Sequence, residues 1–139
     1  MPDDTPHPDE VWALITHLVF DARDPWRRAV AERTGLPFSR IRVLKRLRSG
    51  PRTVKELAHA AAMDAPAATV AVNQLETRGL VVREVDPRNR RSKHVSLTDE
   101  GRATIELALA TPDPAPASIA ALPAADLRRL HQILRKTQD

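Results

Sequence analysis

The chain contains no cysteine and no tyrosine, and aromatic residues make up only 3% of its 139 positions. Without cysteine there are no disulfides, thiolate metal sites or thiol redox sensing, and the expectation is a reducing, cytoplasmic compartment. So few aromatics argue against a stacking platform for single-stranded nucleic acid. No apolar run approaches the ~20 residues of a membrane span, and the acidic, proline-rich start MPDDTPHPDE is unlike a secretory signal. Catalytic signatures are missing too: there is no glycine-rich phosphate loop, no H-x-x-x-H and no G-x-S-x-G. The histidines His7, His17, His59, His94 and His131 lie scattered, without ligand spacing. The expectation is a non-enzyme with no metal and no cofactor.

Hydrophobic residues form 42% of the chain, enough for a folded domain with a core. The net charge of +4 is modest, but its distribution is uneven. From Arg40 to Lys55 every charged residue is basic: Arg40, Arg42, Lys45, Arg46, Arg48, Arg52 and Lys55. Arg88, Arg90, Arg91 and Lys93 form a second cluster. Such asymmetry fits a polyanionic partner, the alternative being a merely solvated face.

Periodicity and punctuation divide the chain. Residues 1–8 carry three prolines and read as a flexible arm. From Asp9, the residues Val11, Leu14, Ile15, Leu18 and Val19 make an apolar helical stripe, which Pro25 interrupts or kinks before Trp26–Arg33 resumes it. Region 9–35 is thus an N-terminal helical region suited to dimerisation. Pro37 starts a helix that ends at Gly50-Pro51. Thr53-Val54-Lys55-Glu56 has the form of a capping box. Asp64 opens a further helix with Pro66 in its first turn, and Gly79 closes it. Strand-like runs Leu80–Val85 and His94–Leu97 follow, joined by residues 86–93. Thr98 caps the next helix, which meets the prolines of 112–116; a last helix covers roughly Ala124–Lys136. The pattern predicts a mainly helical α+β chain: a winged helix-turn-helix domain over 36–101, then C-terminal dimerisation helices over 102–139 interrupted at 112–116. The stripes of the first and last helices flank a core that needs neither, so burial against a second copy is expected.

On a helical wheel Ala68, Ala71, Val72 and Leu75 share the inward face of the helix after Asp64. The opposite face holds Pro66, Val70, Asn73 and Thr77, flanked by Ala67, Thr69 and Gln74. An exposed Val70 suits a thymine methyl in the major groove, and Asn73 or Gln74 suits bidentate pairing with adenine. Pro66, Ala67, Thr69, Val70, Asn73 and Gln74 are therefore the candidate base readers. Arg88, Arg90, Arg91 and Lys93 crowd a turn fit for a narrow minor groove, with Asp86 expected to bridge to Arg91. Arg40, Arg52, Thr53 and Lys55 are the candidate phosphate contacts.

Leu75-Glu76-Thr77-Arg78-Gly79-Leu80-Val81, Asp86-Pro87-Arg88-Asn89-Arg90-Arg91 and Val95-Ser96-Leu97-Thr98-Asp99-Glu100-Gly101 follow one another at a specific spacing. In this the chain resembles the MarR family, winged-helix transcription factors of bacteria. The resemblance implies a homodimeric repressor on a palindromic operator in double-stranded DNA. It puts the Ala65–Arg78 helix in the major groove and the Arg90 region in the minor groove. It also implies dimerisation through the terminal helices and release by a small aromatic or anionic effector, for which Trp12, His17, Phe20 and Phe38 are the candidate pocket residues. Asn89 stands where the family usually has Asp, and Pro66 and Val70 replace the usual Ser and Arg of the reading helix. The other reading of the same chain is a winged-helix scaffold that binds protein.

Overall fold

The computed structural model describes residues 3–138, so residues 1 and 2 of the expected arm lie outside the described residues. The elements run α1 (Pro8–Thr34), α2 (Phe38–Arg46), α3 (Val54–Ala60), α4 (Ala65–Thr77), β1 (Val81–Asp86), β2 (Asn89–Leu97), α5 (Asp99–Leu109), α6 (Ala117–Ala120) and α7 (Ala124–Arg135). They divide into two compact units: Arg23–Thr111, and Met1–Ala22 with Pro112–Asp139.

Unit Arg23–Thr111 contains a mainly helical winged helix-turn-helix, the fold class that the sequence predicts. Side chains accepting the first unpaired amides fix three of its helix starts. Thr53 Oγ1 accepts from Glu56 N at 3.1 Å, Asp64 Oδ1 from Ala67 N at 2.7 Å and Thr98 Oγ1 from Gly101 N at 3.0 Å. Each helix then buries one face. Ile41, Val43 and Leu44 come from α2, Leu57 from α3, Ala71, Val72 and Leu75 from α4, and Ile105 and Ala108 from α5; Val81 and Val95 close the core from the hairpin. Gly101 permits a close approach of two elements, because a Cβ there would sit 2.0 Å from the carbonyl oxygen of Leu80.

Two local expectations are corrected. Helix α1 runs unbroken through Pro25, so of the interruption or kink expected there the interruption does not occur. Proline removes one helical hydrogen bond, but packing holds the turn that follows: Val30 is fully buried and Trp26 meets Phe38 edge-on, centroids 5.3 Å apart. The connection 86–93 also shrinks to a turn at Pro87-Arg88, with Asn89–Lys93 already part of β2. Asp86 Oδ1 accepts from Arg88 N at 2.9 Å and Asn89 Oδ1 from Arg91 N at 3.1 Å, side-chain turns that stabilise so tight a reversal.

The other unit consists of the N-terminal part of α1, then α6 and α7. The Pro112–Pro116 segment is non-helical, as its prolines require, and α6 is a single short turn that the sequence does not announce. Val11, Trp12, Leu14, Val19 and Phe20 of α1 and Leu127, Ile133 and Leu134 of α7 are exposed. No helix among the described residues is long and apolar enough to cross a membrane.

Candidate nucleic-acid interface

Helices α3 and α4 are joined by a turn in which Ala62 takes the left-handed conformation, φ 53°. Met63 N donates to Ala58 O at 2.9 Å, and an Arg42 guanidinium nitrogen donates to the Ala61 carbonyl, tying α2 to the same turn. This corner fixes how α4 leaves the core. Ala68, Ala71, Val72 and Leu75 are fully buried, as the wheel predicts. Pro66, Thr69, Val70, Asn73, Gln74 and Thr77 are exposed, Ala67 is half-buried, and Val70 keeps 50% of its surface. An exposed apolar side chain among exposed amides is a surface suited to base edges.

The amides of α4 do not stand free. Gln74 Oε1 accepts from Arg40 Nε at 2.8 Å and Nη2 at 2.5 Å. Asn73 Oδ1 accepts from Arg83 Nη2 at 2.6 Å, while Arg83 Nη1 holds Glu76 Oε1 at 2.9 Å. The sequence alone gives Arg83 no role. A signal for one lies in the alternation of β1, where Arg83 shares a side with buried Val81, an unusual place for a cation without a partner.

Beside α4 the hairpin pairs Val81 with Leu97, Arg83 with Val95 and Val85 with Lys93; the register then jumps to Asp86 with Asn89. Arg90, Arg91 and Ser92 thus face no residue of β1 and bulge from the ladder. Arg88, Arg90, Arg91 and Lys93 are all exposed. The expected Asp86–Arg91 bridge does not form. Asp86 pairs with His94 Nε2 at 3.3 Å, because the pleat puts His94 and Asp86 on one side of the sheet while the bulge carries Arg91 away.

Most of the Arg40–Lys55 cluster turns out to bolt elements together. Besides Arg40 and Arg42, Arg48 pairs with Glu106 at 2.9 Å, and Arg52 donates to the Arg46 carbonyl at 2.9 Å and to Ser49 Oγ at 3.4 Å. Arg52 also pairs backbone-to-backbone with Val95, bracing the base of the hairpin. Thr53 caps α3, and Lys55 is exposed on its first turn. A basic run in sequence is thus partly a set of internal fasteners, which periodicity cannot reveal.

Of the residues expected near an effector, Trp12 and Phe20 are 64% and 78% exposed, and His17 sits 3.3 Å from Asp21 one turn along α1. Phe38 packs on the core of the other unit, with Trp26 edge-on and Arg27 over its ring. Among the described residues no group of three or more His, Asp or Glu is arranged to hold a metal ion.

The MarR family model matches residues 34–92. No curated protein sequence matches the chain. Among solved structures, YusO from Bacillus subtilis is similar at 25% identity over 95% of this chain and 97% of that one, with a TM-score of 0.67. CouR from Rhodococcus jostii RHA1, bound to p-coumaroyl-CoA, is 26% identical over 93% of this chain and 92% of that one, TM-score 0.66. A cysteine-to-serine mutant of MarR from E. coli shares the fold at TM-score 0.77, with 22% identity over 97% of this chain and 98% of that one. The family match lies across α2 to β2 and the same fold extends over nearly the whole length, so the chain is similar to MarR-family proteins.

Proposed function

We propose that the chain is a transcriptional repressor that binds a palindromic operator in duplex DNA as a homodimer. In this reading α4 enters the major groove and the Arg88–Lys93 tip enters the adjacent minor groove. The observation that carries it is the adjacency, within one unit, of an exposed amide-bearing helix face and a bulge of exposed cations. Arg40 and Lys55 supply phosphate contacts; Thr53 reinforces them through its hydroxyl, with Arg52 its neighbour in sequence.

Dimerisation is supported by the apolar faces of α1 and α7, whose large side chains are exposed in the single chain. A two-fold pair would repeat the reading head about one duplex turn (~34 Å) away and so match a palindrome. A small aromatic or anionic effector is proposed by kinship with CouR, which was solved holding p-coumaroyl-CoA; exposed Trp12, His17 and Phe20 are the residues to probe for it.

Selection of genomic duplex fragments at physiological salt, with sedimentation of the free protein and of its complex, tests the reading. The expected outcome is a mass of two chains and an enriched inverted repeat, with affinity falling steeply as salt rises. Failure to retain any fragment even in dilute buffer would overturn the proposal.

A further inference from the structure

A guanidinium has N–H groups and no acceptor, so the amide atoms facing Arg40 and Arg83 must be the oxygens of Gln74 and Asn73. The Gln74 oxygen accepts twice, from Arg40 Nε and Nη2, which fills both of its lone pairs. The Asn73 oxygen is held by one charge-assisted bond at 2.6 Å and turned toward β1. Arg83 cannot easily let go. Its other arm is fixed on Glu76, three residues along the same helix, and its side chain is only 21% exposed.

Bidentate recognition of adenine needs an amide that accepts from N6–H while donating to N7. With the Gln74 oxygen filled and the Asn73 oxygen drawn back onto Arg83, the two amides turn chiefly their N–H groups to the groove. Edges that present only acceptors then fit best: guanine through O6 and N7, or thymine through O4. Adenine leaves an N6–H group unmatched, and cytosine offers a donor to a donor. The apolar neighbour agrees with this ranking, since Val70, one turn earlier and half exposed, suits the thymine methyl.

We propose that Arg40 and Arg83 set the base preference of α4 without touching a base. By engaging the amide oxygens of Gln74 and Asn73 they oblige each half-site to present acceptor edges, guanine or thymine, opposite both residues. This replaces the adenine expected from the residue types alone. It rests on the duplex-binding reading above and deepens it.

Selection from a random duplex library, run on the wild type and on Asn73→Ala and Gln74→Ala, identifies the two base positions by the preference each substitution erases. The wild type is expected to select guanine or thymine there. Arg83→Met keeps the aliphatic stem and frees the Asn73 oxygen. Its selection should move toward adenine at that one position, by about tenfold in relative binding, the discrimination of one good base contact. Arg40→Met should do the same at the Gln74 position; any general weakening from a lost phosphate contact cancels in relative binding. Because Arg40 joins two surface side chains, its variant tests the idea even if Arg83→Met melts at room temperature. Adenine selected by the wild type at both positions, or variants that weaken every sequence alike with no change of preference, would overturn the proposal while leaving the regulator intact. A wild type that enriches no sequence and retains no duplex removes the regulator reading itself.

Discussion

Helix α4 and the hairpin tip are neighbours built in opposite ways. On α4 the polar side chains are pinned: Arg40 holds Gln74, and Arg83 is forked between Asn73 and Glu76. At the tip it is the backbone that is pinned, by Asp86 and Asn89, while among the described residues no ion pair engages Arg88, Arg90, Arg91 or Lys93. Discrimination between bases needs donors and acceptors in known places, and prior immobilisation lowers the entropic penalty of putting them there. Attraction to phosphate or to a narrow groove needs only charge. A cation already paired would have to break its pair first. Under the proposed duplex-binding reading, the difference assigns preference to α4 and affinity to the tip.

The largest expected effect removes both regions at once. Gly101→Ala puts a Cβ 2.0 Å from the Leu80 carbonyl oxygen, a backbone atom at the corner that starts the hairpin, and 3.2 Å from a Leu97 methyl. The carbonyl cannot yield cheaply, because Thr98 N and Oγ1 already hold Leu80 O and Gly79 O at 3.1 and 2.6 Å. A loss of about 3 kcal/mol is expected in thermal or urea melts. An unchanged melting temperature would mean that the corner is softer than its geometry implies.

Next comes the tip alone. Arg90→Ala combined with Arg91→Ala should weaken duplex binding on the order of a hundredfold at physiological salt. The slope of log affinity against log salt should flatten by about two, one for each lost groove or phosphate contact. The selected base sequence should stay the same. A changed sequence would break the division of labour, by showing that the bulge reads bases.

The fold was largely legible because its determinants are local. Thr53, Asp64 and Thr98 announce helix starts through their own side chains, and the buried face of α4 follows from a spacing of three and four residues. What escaped depends on elements meeting. The continuity of α1 through Pro25 is decided by the packing of Trp26 on Phe38, which belongs to the next helix. Gln74 and Arg40 are 34 residues apart, and Arg83 reaches Asn73 only once β1 lies beside α4. The candidate site was therefore visible as a set of residue types and hidden as a polarity. Amides on an exposed face could be named, but which of their atoms faced outward could not.

The smallest effect separates charge from shape at the tip. Asp86 does two things there: Oδ1 accepts from Arg88 N, and Oδ2 lies 3.3 Å from His94 Nε2. Asp86→Asn retains an oxygen for the turn and removes the charge from the pair. A partly exposed pair of this kind is worth about 0.5 kcal/mol, so melts should shift by a degree or two at most. Duplex affinity should nevertheless rise, by roughly twofold at low salt, because a negative charge beside the groove has gone. The two signs are opposed, which makes the measurement informative. Should affinity fall substantially instead, the Asp86–His94 pair must be orienting the arginines, and the tip would then be a pinned reader like α4 and no longer its opposite.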